Sequence, residues 1–185
     1  DAFGASSAGL YALSESYLYT VESLQAYLSR LAPGGYLSIT RWVSLPPRDT
    51  LKLVGMAALA LQQQGVADPG ARIALLRSWR TATVLIRNGE FDAVDIARLK
   101  AFCQERSFDL DWYPGVTAAE TNRYNRLDQS WFYEGTAALL GPGRRAFIAR
   151  YKFDIEPATD DRPYFFHFFR WRTLPELLRL KGQGG

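Results

Sequence analysis

The period of the apolar positions changes several times along the chain, and each change marks an element. Leu18, Val21, Leu24, Leu28 and Leu31 recur every three or four residues, which predicts a helix with one apolar face. Ser14 or Ser16 stands where its cap is expected, and Pro33-Gly34-Gly35 stops it abruptly. Residues 36–43, Tyr-Leu-Ser-Ile-Thr-Arg-Trp-Val, follow that turn and are built around strand formers, so they predict a strand. Beyond Pro46-Pro47, helical spacing returns in Leu51, Val54, Ala58 and Leu61 and ends at Gly65. Two β-rich runs, 73–78 and 82–87, flank a tight connection at Trp79-Arg80 and predict a hairpin. Asp92 then caps a third helix with Ile96, Leu99, Phe102 and Cys103 on its inner side.

The remainder is less regular. It holds Trp112-Tyr113-Pro114-Gly115, a polar stretch 122–126, a short helix expected over 128–140, and a hinge at Gly141-Pro142-Gly143. Residues 147–155 fit helix or strand. An aromatic run, Tyr164 to Trp171, precedes an amphipathic stretch 174–180. Alternation would set Phe166 and Phe168 on one face and Phe165, Phe169 and Trp171 mostly on the other. Both faces are then apolar, which predicts burial on two sides or contact with a partner or a bilayer surface.

Composition narrows the picture. With 185 residues, 48% apolar and 22% charged, the chain suffices for a domain with a core and is no disordered chain, collagen or coiled coil. No apolar run approaches the roughly 20 residues of a membrane helix. A net charge of +3 from scattered basic residues, without a recognition motif, argues against nucleic acid as a partner. A single cysteine, Cys103, excludes an internal disulfide and fits a reducing compartment. With the single histidine, His167, it also excludes a Cys/His metal cluster. Because it starts at Asp1 with no leader, the chain reads as a piece of a longer polypeptide.

The ordered set of helix, P-G-G turn, strand, helix and antiparallel hairpin resembles the second half of the class I S-adenosylmethionine-dependent methyltransferase fold. Within it the chain looks most like the spermidine synthase-like branch. The residues carrying this are Asp1 and the small-residue loop after it, the Leu-rich helix, Leu31-Ala32-Pro33-Gly34-Gly35, and Thr159-Asp160-Asp161-Arg162-Pro163. The resemblance implies an α/β fold: residues 1–90 would form the C-terminal part of a Rossmann-like sheet with a terminal antiparallel hairpin. Residues 91–185 would form a mostly helical, aromatic-rich extension packed on it.

The same resemblance implies an aminopropyl or methyl transferase using S-adenosylmethionine or its decarboxylated form in the full-length protein. No cofactor is expected for this fragment alone, because the Gly-rich cofactor loop and the ribose-binding acid are missing. Asp1 would match the first acid of the family's D-x-x-D-P-x-G-P loop, as catalytic base or amine anchor; Gly4-Ala5-Ser6-Ser7 replaces its second acid and proline. The T-D-D-R-P block resembles the end of large bacterial proteins that join a synthase-like domain to membrane helices. That implies a tether on the cytoplasmic side of the inner membrane, with the rest of the chain as partner. A homodimer through the incomplete sheet edge is also expected. The alternative is a non-catalytic regulatory or interaction domain of a transporter-like membrane protein.

Four residues are candidates for a small amine substrate. Glu15 and Tyr11 belong to the loop at the expected pocket mouth, where Glu15 either touches substrate or favours a helix N-terminus. Asp160 and Asp161, beside many aromatics, offer charge pairing and cation–π contact; otherwise Thr159 or Asp160 caps a turn and Arg162 pairs locally. Gly141-Pro142-Gly143-Arg144-Arg145-Ala146 fits G-x-G-x-x-A but follows a helix-like run, so it reads as a hinge. Cys103 with His167 would be a nucleophile and base only if the fold joined them. Ser6 and Ser7 lack a hydrolase elbow.

Overall fold

Thr20, rather than Ser16, starts the first helix of the computed structural model, which describes residues 15–170. Thr20 Oγ1 accepts from Ser23 N at 3.1 Å while Ser23 Oγ accepts from Thr20 N at 3.0 Å. This reciprocal cap fixes α1 as Val21–Ser29 and leaves Leu18 outside it, 69% exposed. Gly34, at φ +76°, turns the chain into β1, Tyr36–Trp42. There follow α2 (Asp49–Gln63), β2 (Ile73–Arg77), β3 (Thr81–Arg87), α3 (Ala93–Glu105), β4 (Asp109–Trp112), α4 (Trp131–Leu140) and α5 (Arg144–Arg150). Asp1, Tyr11, Ser6, Ser7, Ser14, Trp171 and the stretch 174–180 lie outside the described residues.

The fold is mixed α/β, with one four-stranded sheet in the order β1-β3-β2-β4. All neighbours are antiparallel, so β1 and β2 run parallel to each other on either side of β3. The hairpin is zipped beside β1 as the sequence predicts, from Tyr36↔Arg87 to Trp42↔Thr81. Its turn is held by Ser78, whose N donates to Thr81 O at 2.8 Å and whose Oγ accepts from Thr81 N at 3.0 Å.

The segment after residue 90, expected to be mostly helical, also contributes β4. Acids at alternate positions of Asp-Leu-Asp-Trp hide that strand from a hydropathy reading. The segment 147–155 is helical only to Arg150, and the expected helix over 128–140 begins at Trp131.

Helices α1, α2 and α4 share one face of the sheet, around Leu24, Leu51, Val54, Val84, Ile86 and Phe132. Helix α3 covers part of the other face, where Ala74, Leu76, Cys103 and Leu110 form a smaller core. Phe102, expected inside, is 41% exposed at its margin. Over β1 and β3 the described residues leave on that face a trough of about 360 Å³ bearing Ser38, Thr40 and Thr83. Strand β1 is also the sheet edge.

The aromatic run is not an alternating strand. Phe165 and Phe168 are buried, Phe166 is half-buried and Phe169 is 37% exposed. The run docks as an irregular segment against α2, drawn by cations described below. None of the helices among the described residues is long and apolar enough to cross a membrane.

Candidate functional site: the carboxyl end of β1

Strand β1 ends in Arg41 and Trp42, and the chain around this end converges from three places. Arg41 is held by Asp49 of α2, Nη2 to Oδ1 at 3.5 Å. Its guanidinium carbon lies 4.9 Å from the Phe166 ring centroid, 5.4 Å from Tyr19 and 5.6 Å from Phe165. Tyr19 and Phe165 stack with centroids 4.9 Å apart. The result is an aromatic box closed on a cation. Trp42, on the opposite side of the strand, is 71% exposed.

Glu15 stands at the rim. Its carboxylate accepts from the Tyr17 hydroxyl at 3.1 Å and the Tyr164 hydroxyl at 3.5 Å. The hydrogen bond and field of Glu15 raise the Tyr17 phenol pKa. Backbone bonds lace the two segments together: Ser16 N donates to Pro163 O at 2.7 Å and Val21 N to Ala158 O at 2.9 Å. Glu22 of α1 accepts from the Asp160 amide at 3.0 Å. Thr159 and Arg162 bridge each other, so the T-D-D-R block forms a tight turn on the α1 entry. The structure thus brings Glu15 and Asp160 to one rim. Asp161 instead lines a neighbouring cleft of about 500 Å³ with Lys52, Asp154, Glu156 and His167.

Lys52 is the unexpected member of this region. It is 3% exposed, yet its amine donates to Tyr164 O at 3.0 Å and His167 O at 3.2 Å. Burial pulls its pKa down to about 8, against the opposing fields of Asp154, Asp49 and Glu156. A lysine beside an apolar helical period carries no sequence mark of its burial.

Other candidates separate. Cys103 belongs to the core under α3, while His167 lies beside α2 on the opposite face, 4.0 Å from Asp154. Burial pushes the Cys103 thiol up to about 12, so the two form no nucleophile and base pair. Gly141-Pro142-Gly143 joins α4 to α5 as a hinge. A buried ion cluster without a sequence signature stands at the carboxyl end of β2, in register with Arg41 across β3: Arg77 Nε donates to Asp111 at 2.6 Å and Nη2 lies 3.2 Å from Asp109. Asp109 also accepts the amides of Arg123, Tyr124 and Asn125, which folds the polar 122–126 loop.

The N-terminus of α3 is filled by the Asp92 carboxylate, bonded to Asp95 N at 2.8 Å, whereas α2 starts after Arg48 with no side-chain cap. Among the described residues no group of acids, histidine and cysteine could hold a metal ion. Compared with family models, curated proteins and solved structures, the chain matches none.

Proposed function

We propose that the chain is the closing part of a spermidine synthase-like transferase domain of the class I methyltransferase fold, and that it contributes the amine side of the site. Sheet order is the observation that carries this reading. β1, α2 and β2 make a parallel crossover, and a hairpin return places β3 between the two strands. Helices α1 and α2 lie on the same face. Parallel crossovers are almost always right-handed, so a strand feeding α1 would fall on the free edge of β1. With further strands beyond it wound the other way, the sheet would be doubly wound, with its ligand beyond the strands' carboxyl ends, where Arg41, Tyr19 and Glu15 converge.

On this reading the amine is held by Glu15 and Asp160 and walled by Tyr17 and Tyr164. The cradle for S-adenosylmethionine, or its decarboxylated form, would come from residues outside this chain. Transfer, whether aminopropyl or methyl, would then require the whole polypeptide. The engagement of Asp160 and Thr159 in a turn favours a second reading, a non-catalytic interaction domain attached to membrane helices.

Spermidine titration separates the two. Tyrosine signals of Tyr17 and Tyr164 should shift saturably, and Glu15→Gln should weaken binding about fivefold, the scale of one exposed charge contact. A titration with no saturable shift, or one that Glu15→Gln leaves unchanged, contradicts the amine site. S-adenosylmethionine should show no micromolar binding to this chain.

A further inference from the structure

The two acceptors of the buried Lys52 amine come from one short segment, as do both rings beside it. Tyr164 O and His167 O receive its hydrogen bonds, and Phe165 and Phe168 lie 5.9 and 5.3 Å from the nitrogen. The segment has no regular secondary structure of its own. It is also held by Arg41 over Phe165 and Phe166, by Arg48 over Phe168, by Tyr19 packed on Phe165 and Phe166, by Asp154 N donating to Phe168 O at 3.0 Å, and at its ends by Glu15 and Asp154 beside Tyr164 and His167. Its inner rings roof the carboxyl end of β1. Lifting it would therefore expose the Arg41 guanidinium and the Tyr19 face together, and would return the Lys52 amine to water.

We propose that residues 164–168 are a strap over the carboxyl end of β1, latched by Lys52, and that the latch tightens when the amine is neutral. An ammonium between these rings keeps their cation–π attraction but loses most of its hydration; desolvation is the larger effect and the open state relieves it, so protonation favours opening. Deprotonation costs the latch no hydrogen bond, because a neutral amine keeps two N–H groups for the two carbonyls. The charged and titratable groups around the amine are Asp49 and Arg48 at the start of α2, Asp154 and Glu156 after α5, and Asp161, Arg162, Tyr164 and His167 in the strap and its approach. The three nearby carboxylate fields, of Asp154, Asp49 and Glu156, favour the charged amine, and burial outweighs them. The inference concerns the strap itself and stands whether or not an amine substrate binds at the rim.

The size of the effect follows from linkage. With the amine titrating near 8 when closed and near the ordinary 10.5 when open, the opening equilibrium falls roughly twentyfold between pH 7.5 and 9.5. Amide hydrogen exchange of the whole chain, read on peptides covering 163–169 and corrected for intrinsic rates, measures this opening. Protection there should rise roughly ten- to thirtyfold over that interval. In Lys52→Met and Lys52→Gln the rise should disappear; the glutamine keeps donors without a charge. Contributions from His167, Tyr164 or the carboxylates would survive in both variants. Protection that does not change with pH in the wild type, or that rises equally in either folded variant, overturns the latch.

Discussion

Arg77 shows how much one side chain can decide in this molecule. It is 2% exposed and is shared by Asp111, Asp109, Asn122 Oδ1 and Asn125 O, with its guanidinium carbon 5.2 Å from the Phe132 centroid. Burial raises the Asp111 carboxyl pKa while Arg77 pulls it down. Arg77→Met would leave two buried carboxylates without their cation. The expected loss is about 3–5 kcal/mol in urea denaturation, the range for breaking one side of a buried pair. Lys52 gives the opposite case. Its folded pKa of about 8 lies below the ordinary 10.5, so the unfolded chain binds more protons between these values. Stability should therefore rise with pH across about 8 to 10.5, and Lys52→Met should flatten that rise. Neither residue was legible in the sequence. A cation at the end of an apolar strand, or within an apolar helix period, reads as a surface position until the neighbouring elements cover it.

The elements were legible where period and punctuation agreed. The hairpin, α2 and the Asp92 cap of α3 follow directly from β-branched runs, Pro46-Pro47 and an aspartate ahead of an apolar period. The first cap was misplaced because Thr20 and Ser23 form a box inside the predicted helix, which costs α1 its first turn. Strand β4 and the strap were not legible, since both owe their placement to distant partners: Arg77 for the first, Lys52 and Arg41 for the second. Packing between α2 and α4 is close enough to test. A Cβ on Gly135 would stand 2.6 Å from Leu51 Cδ1. Gly135→Ala should lose about 1–2 kcal/mol, because overpacking outweighs the roughly 1 kcal/mol gained in helix propensity. Phe165→Ala, which removes a fully buried ring from the strap, should cost about 3–5 kcal/mol by the same measurement.

At the scale of the whole molecule, acid should weaken the fold from the side of α3. Glu120 accepts from Tyr113 at 2.6 Å and Lys100 at 2.9 Å, and these bonds hold its carboxyl down near 2. Its contribution is present above the ordinary 4.5 and lost as pH falls toward 2, and partial exposure makes it small and salt-sensitive. Urea midpoints at low and high salt across that interval check it. The larger feature is the sheet's asymmetry. Among the described residues one face is layered with helices, the other is half-covered, and β1 ends the sheet without proline, lysine or bulge. Self-association that grows with concentration is the expected consequence, visible by light scattering; a monomer at high concentration would count against it.

The proposal that this sheet is unfinished at β1 can be tested through its amides. In dilute solution, alternate backbone N–H groups of Tyr36–Trp42 should exchange nearly unprotected, since an edge strand bonds only one neighbour, while those facing β3 exchange slowly. Uniform slow exchange along the whole strand in the monomer would contradict it.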